Sequence, residues 1–416
     1  MKDSGHSRER HDDDHWGERV SDAIPVNPDV LRWARTSLGL SVEDVAARMK
    51  KDAADIEAWE RGESSPTYVQ LETLAYDVYK RPLALFFFPA PPDEEPIERS
   101  FRTLPEQELK RIPSRMRYLL RKARVLQLNL AELCDDKNPA ERNILRDIEV
   151  PVSVSVRAMA QRVREYLGIP LPEQQQWGNA DTALKRWRES LVEHGVFVFK
   201  DSFNPPGKKS PERAKSPYSG FCLYDAEFPI VYVNNNAAKS RQIFTLFHEL
   251  AHLLMHTGGV DKTRDEAFIE LLHGDSQRIE VLCNRFAAEF LVPSGDFNVR
   301  TRGMPVNADA VSDLARLYSV SREVVLRRFL DADLVSRRTY EAFVKKWDEE
   351  KIERKGSGGR HLYTKGAYLG QRYVELVFGR YHQNRISLEQ AADYLDEKAQ
   401  AVPKMEEWLF RQGVSV

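Results

Sequence analysis

The chain has 416 residues and a formal net charge of −2, and 42% of its residues are hydrophobic while 30% are charged. This length exceeds what one ordinary core organises, so we expect about two to four domains, and the balanced charge predicts no overall attraction to nucleic acid. Three widely separated cysteines argue against a disulfide framework or a cysteine zinc site. The sequence contains neither a long apolar run nor the pattern of a signal peptide, so we expect a cytoplasmic protein with no membrane partner.

The N-terminal part is predicted to be a polar tail followed by a bundle of short helices. Residues 1–26 have the composition of a disordered tail. Between 27 and 88, apolar residues recur at helical spacing, and Ser41 with Asp44 forms a capping box that begins the second helix. The proline-rich, acidic segment 89–97 is then interpreted as a linker.

The segment 98–190 is predicted to be mostly helical, with a basic stretch at 98–125. A protein that reads DNA needs a basic face against the phosphates. The residues that would supply this face are Lys50, Lys51, Arg115, Arg117, Arg121 and Lys122. The helix that would enter the major groove, 52–60, is itself acidic, so we expect DNA binding by the helical bundle alone to be weak.

A change of hydrophobic period near residue 195 indicates a small sheet followed by helices. The predicted strands are 196–198, 221–224 and 230–233, and the predicted helices that follow are at about 237–256 and 276–291. Further helices are expected at 301–350 and 361–416. The predicted fold class is therefore mainly α with a small β-sheet (α+β).

The strand Ile230–Val233 is interpreted as an edge strand that could pair with an extended substrate. Tyr232 and Val233 on this strand, and His256 at the end of the following predicted helix, are the candidate substrate contacts.

The run His248-Glu249-Leu250-Ala251-His252 predicts a metal centre. Two histidines four residues apart lie on one face of a helix, at a spacing that suits neighbouring positions of a tetrahedral zinc. Zinc would lower the pKa of a water toward about 7, and Glu249 beside the histidines could take its proton.

A catalytic zinc needs a third protein ligand. The nearby candidates are Glu266, Glu270, Glu280, Glu289, His256 and His273. Glu280 is the best of them, because Cys283, Asn284 and Ala287 share its helix face and are small enough to allow close approach to the first helix. Asn284 is predicted to orient a zinc histidine through its other ring nitrogen. Glu289 would point away from this face.

These residues carry a family resemblance. RQIFTLFHELAHLLMH and EVLCNRFAAEFLVP resemble the ImmA/IrrE metallopeptidases, and LRWARTSLGLSVEDVAARM resembles the Cro/C1-type (XRE) helix-turn-helix. The resemblance implies a helix-turn-helix at 27–88, a gluzincin-like zinc peptidase core at 191–300 and a helical C-terminal extension typical of longer members. It also implies one Zn²⁺ per chain, held by His248, His252 and Glu280, with Glu249 as general base.

Two kinds of function follow from this resemblance. The first is a zinc endopeptidase that regulates transcription or a stress or toxin–antitoxin response by cleaving a repressor-like or antitoxin-like protein. The alternative is an antitoxin or transcriptional regulator that binds operator DNA or a PIN-like toxin, with a structural or vestigial metal site. Glu249 favours the enzyme, because a purely structural metal site has no need of a base. A homodimer is compatible with either function.

Overall fold

The computed structural model describes residues 23–97, 109–150, 155–204, 216–257, 259–262, 274–351 and 361–412. It divides into two compact units, one formed by residues 1–95 with 110–118 and the other by residues 96–109 with 119–416. Most of the predicted N-terminal tail, up to residue 22, lies outside the described residues. Within the described ranges, no helix has both the length and the apolar character that crossing a membrane requires.

The first unit is built from short helices. They are α1 (Pro28–Ser37), α2 (Val42–Met49), α3 (Ala53–Arg61), α4 (Tyr68–Glu72), a π-helix (Thr73–Tyr79) and a 3-10 helix (Leu83–Phe87). The predicted capping box is confirmed: the Asp44 N–H donates to Ser41 Oγ at 3.1 Å, and the Ser41 N–H donates to the Asp44 carboxylate at 2.9 Å. The helices enclose a small apolar core around Val30, Leu31 and Ile56.

Segments on both sides of this bundle pack against it. Ile24 and Val26, which the sequence assigns to the tail, contact the core, and the Ile24 N–H donates to the Pro66 carbonyl at 2.9 Å. In the acidic segment that follows the bundle, Glu94 accepts a hydrogen bond from Arg81 at 2.8 Å. The folded first unit therefore reaches beyond 27–88 at both ends.

The second unit consists of many helices and one small sheet. A long helix, α5 (Ser114–Leu133), crosses the boundary between the units along the chain. The elements that follow α5 are α6 (Ile144–Asp147), α7 (Val156–Leu167), α8 (Leu171–Gln176), α9 (Ala180–Glu193), β1 (Phe197–Asp201), β2 (Tyr218–Leu223), β3 (Ile230–Asn234), α10 (Lys239–Leu254), β4 (Gly259–Lys262), α11 (Asp275–Leu291), α12 (Ser294–Arg300), α13 (Ala308–Tyr318), α14 (Arg322–Asp331), α15 (Arg337–Lys351), α16 (His361–Leu369), α17 (Gln371–His382), α18 (Leu388–Leu395), a 3-10 turn (Ala399–Ala401) and α19 (Val402–Phe410). The predicted fold class, mainly α with a small sheet, is confirmed.

The sheet has the strand order β1-β3-β2-β4, in which β1 and β3 are parallel and β2 is antiparallel to both β3 and β4. β3 therefore lies between two other strands, and the prediction that Ile230–Val233 is an edge strand is wrong. Its residues are buried on both faces of the sheet. The fourth strand, β4, follows α10 and is not among the predicted strands.

Opposite faces of the sheet are covered by different side chains. Val198, Val231 and Val233 belong to the core that contains helices α9, α10 and α11. On the other face, Phe199 packs against Tyr373 of α17, with ring centroids 5.4 Å apart. Because both faces of the sheet are buried, the strand sequences are mostly apolar and do not alternate between apolar and polar residues.

Candidate metal centre

Helix α10 carries His248, Glu249 and His252, and it is the central helix of the second unit. Residues 242–254 are all buried, including the two histidines and the glutamate. Neighbouring elements cover this part of the helix on every side. A helix that is apolar around most of its surface is typical of such a central position.

Aromatic side chains hold α10 between its neighbours. The Phe247 ring stacks on the Phe290 ring of α11 with centroids 4.0 Å apart, and Trp187 of α9 meets both rings edge-on at 4.9 and 5.2 Å. Because Phe247 directly precedes His248, this cluster fixes the position of the histidine helix relative to α11, which carries Glu280.

Three side chains from the two helices converge on one point. His248 Nε2 lies 3.2 Å from His252 Nε2, and the Glu280 carboxylate oxygens lie 3.4 Å from the first of these nitrogens and 3.3 Å from the second. The three ligand atoms all lie within 4.8 Å of one another, and all three residues are buried. The structure thus brings together the three residues that the sequence selects as ligands.

The other ring nitrogens of the histidines face oxygen atoms. His248 Nδ1 lies 3.0 Å from Asn284 Oδ1, and His252 Nδ1 lies 3.1 Å from Thr257 Oγ1. An amide oxygen can only accept, so His248 donates from Nδ1 and keeps the lone pair of Nε2 for the cluster. Thr257 was missed by the sequence analysis; the one signal available is its position just beyond the end of the histidine helix.

The electrostatics of the cluster suit a cation. Burial raises the pKa of Glu280, but the charges of His252 and His248 and their hydrogen bonds outweigh it and hold the pKa of Glu280 well below its usual range. When both rings are neutral, as a metal ligand requires, their Nε2 lone pairs and the carboxylate repel one another in the buried site unless a cation lies between them. Two imidazoles and one carboxylate are a donor set that fits zinc with one coordination position left open.

Two of the alternative third ligands are elsewhere. Glu289 accepts a hydrogen bond from Arg328 at 2.5 Å and from the Ser294 N–H at 3.0 Å, so it caps the end of α11 instead of joining the cluster. His256 is exposed and lies beside the Tyr224 ring, with centroids 4.9 Å apart. The remaining candidates, Glu266, Glu270 and His273, lie outside the described residues.

The expected substrate contacts on β3 are not available at the surface. Tyr232 is 1% exposed and Val233 is fully buried, and both pair with neighbouring strands. Their backbone groups therefore serve the sheet and do not pair with a substrate. Of the three residues that the sequence proposed for substrate contact, His256 alone is exposed.

The basic residues proposed for DNA contact have different surroundings. Lys122 forms ion pairs with Asp201 at 3.3 Å and Asp396 at 2.9 Å, and its side chain is 16% exposed, so it does not offer its charge to a phosphate. In the first unit, Lys50 and Lys51 are exposed, and Lys51 lies 3.7 Å from the Asp55 carboxylate.

Two of the arginines are held within the first unit by contacts near the start of α5. Arg117 donates to the Ile112 carbonyl at 3.2 Å, and Arg115 lies over the Tyr118 ring at 5.2 Å. Arg121 is half-buried on the same helix.

The region that contains the cluster is similar in sequence to known metallopeptidases. Residues 193–330 match the family described as the IrrE N-terminal-like domain. The chain is 35% identical over 135 residues to the radiation response metalloprotease IrrE of Deinococcus deserti, an alignment that covers 31% of this chain and 41% of the relative. The chain thus spans less than half the length of this relative. The two similarities support an ImmA/IrrE-type metallopeptidase domain, and the family match contains His248, Glu249, His252 and Glu280.

Proposed function

We propose that this chain is a zinc-dependent endopeptidase whose active site is the cluster of His248, His252 and Glu280 with Glu249 beside it. The observation that carries the proposal is the convergence of two imidazole Nε2 atoms and one carboxylate in a buried site. A further buried carboxylate, that of Glu249, lies on the helix that carries both histidines. The similarity of residues 193–330 to a metallopeptidase family supports it.

The residues divide the chemistry among them. His248, His252 and Glu280 would hold a zinc ion, which would supply a Lewis acid for water and for a peptide carbonyl. The Glu249 carboxylate accepts the proton of the attacking water and then delivers it to the nitrogen of the leaving amine. Asn284 holds the His248 ring through Nδ1, so that this ring presents Nε2 to the cluster without reorientation.

Two variants separate metal binding from proton transfer. Glu280→Ala removes one of three ligands, so we expect the purified chain to lose most of its zinc in elemental analysis. Glu249→Gln removes the base but no ligand, so the variant should hold about one zinc per chain and cleave nothing. Full zinc content in Glu280→Ala would show that another residue is the ligand.

The substrate can be sought directly. Zinc-loaded wild-type chain and zinc-loaded Glu249→Gln are each incubated with an extract of the source organism, and new protein N termini are identified by mass spectrometry. We expect cleavage sites that occur with the wild type alone, in a repressor-like or antitoxin-like protein. Identical sets of N termini from both preparations would refute peptidase activity and favour a regulator or antitoxin with a structural metal.

We further propose that the first unit is a helix-turn-helix module that regulates the peptidase and recognises protein more strongly than DNA. Helices α2 and α3 are joined by a three-residue turn in which Lys50 is left-handed, with φ 54°. The exposed residues at the start of α3 and along it include Asp52 and Glu57, which DNA phosphates repel. A titration of residues 27–90 alone with promoter DNA of the chain's own operon should show weak binding. Tight, strongly salt-dependent binding would contradict this proposal.

A further inference from the structure

Thr257 lies beyond the end of the histidine helix and folds back onto His252. Helix α10 ends at Leu254, and His256 adopts a left-handed conformation with φ 53°, which reverses the chain. The Thr257 N–H then donates to the His252 carbonyl at 2.9 Å, and Thr257 Oγ1 lies 3.0 Å from the same carbonyl and 3.1 Å from His252 Nδ1. One hydroxyl therefore contacts both the backbone and the ring of a candidate metal ligand.

The single proton of this hydroxyl decides the tautomer of the ring. A carbonyl oxygen has no proton to give, so the Thr257 hydroxyl donates to the His252 carbonyl. A lone pair of Thr257 Oγ1 then faces His252 Nδ1, and this contact is favourable only when Nδ1 carries the ring proton. His252 Nε2 is left with its lone pair, directed at His248 Nε2 and at the Glu280 carboxylate.

From this arrangement we infer that Thr257 is a positioning residue that selects the metal-binding tautomer of His252. It does for His252 what Asn284 does for His248, but with a hydroxyl in place of an amide oxygen and from the turn after α10 in place of the facing helix. The inference rests on the proposed function only in taking the cluster as a metal site. It assigns the turn at 255–257 a direct part in metal affinity.

The first test is zinc affinity, measured on the full chain by competition with a chromophoric chelator. Thr257→Val keeps the shape of the side chain and removes the hydroxyl, and we expect zinc to bind about 10- to 100-fold more weakly. Thr257→Ser restores the hydroxyl and should return the affinity to within about threefold of wild type.

Thr301 provides a matched control. Thr301 is buried and Thr257 is half-buried, and both lie just beyond the end of a helix. The Thr301 hydroxyl donates to the Phe297 carbonyl at 2.8 Å, but the residue is not part of the metal cluster. Thr301→Val should therefore leave zinc affinity unchanged. An equal loss in Thr301→Val, an equal loss in Thr257→Ser, or wild-type affinity in Thr257→Val would each overturn the inference.

The second test observes the tautomer and does not need the metal. With ¹⁵N-labelled histidine in the zinc-free chain, we expect His252 to carry a proton on Nδ1 in the wild type and in Thr257→Ser, whether or not Nε2 beside the Glu280 carboxylate is protonated as well. In Thr257→Val the ring should populate both tautomers. An unchanged His252 spectrum in Thr257→Val would refute the role of the hydroxyl.

These measurements remain decisive if the proposed enzyme activity fails. Neither zinc affinity nor the ring tautomer requires a substrate, so a catalytically inactive chain can still reveal the role of Thr257. Conversely, an active peptidase whose Thr257→Val variant keeps wild-type affinity and tautomer would uphold the proposed function and refute this inference.

Discussion

Gly220→Ala tests how closely the sheet supports the histidine helix. A Cβ at this position of β2 would lie 2.4 Å from Thr245 Cγ2 of α10 and 2.8 Å from the Tyr232 carbonyl oxygen of β3. The first distance is about 1 Å shorter than the 3.4 Å at which ordinary contact begins. The carbonyl cannot move away easily, because Phe221 and Tyr232 are register partners in the ladder between β2 and β3.

Overpacking of this kind costs roughly 1–3 kcal/mol of unfolding free energy. Thr245 precedes His248 by one turn of α10, so a helix displaced by the new methyl group also carries the histidine away from Glu280. We therefore expect Gly220→Ala to lower the free energy of unfolding by about 1–3 kcal/mol and to weaken zinc binding. Urea denaturation and chelator competition on the full chain measure the two effects.

Gly379 provides the control, because it lies inside α17 and an added Cβ would have no atom within 4 Å. Gly379→Ala should raise the free energy of unfolding by about 0.5–1 kcal/mol, since alanine is the better helix former. Adding Thr245→Ser to Gly220→Ala removes the Cγ2 atom and should recover part of the loss. Wild-type stability and wild-type zinc affinity in Gly220→Ala would refute the reasoning.

Three further predictions follow from single contacts. Glu60→Ala removes the partner of the half-buried Arg35 guanidinium, which lies 2.7 Å from the carboxylate, and should cost about 3 kcal/mol in urea denaturation. Burial, followed by the charges of Arg188 and Lys239, lowers the pKa of Lys200 to about 7. Between about pH 7 and pH 10, Lys200 is protonated in the unfolded chain but not in the folded chain, so the free energy of unfolding of the wild type should rise with pH over this range. Lys200→Met should be roughly 3 kcal/mol more stable than the wild type at pH 6, and its free energy of unfolding should not rise in this way between about pH 7 and pH 10. Asn284→Ala should weaken zinc binding by about tenfold or more in chelator competition, and an unchanged affinity would remove Asn284 from the site.

The sequence by itself determined the features that depend on neighbouring residues. The spacing of His248 and His252 places both rings on one helix face because a helix turns once in about 3.6 residues. The same periodicity put Glu280 and Asn284 on one face of α11, and the capping box at Ser41 is closed by residues three apart. These geometries follow from local backbone structure, and the structure reproduces each of them.

The tertiary structure alone decided which distant segments meet. β3 became an interior strand because β1 and β2 both pair with it, and strand order depends on partners far apart in the chain. Lys122 is paired with Asp396, and the backbone of β2 lies against Thr245 at Gly220, although no periodic pattern relates these residues. Thr257 reaches His252 through a left-handed turn at His256, a conformation that is uncommon for residues other than glycine and that residue spacing does not predict. Such contacts are selected by packing over the whole unit, so residue spacing could identify the candidate metal ligands but not the residues that hold them in place.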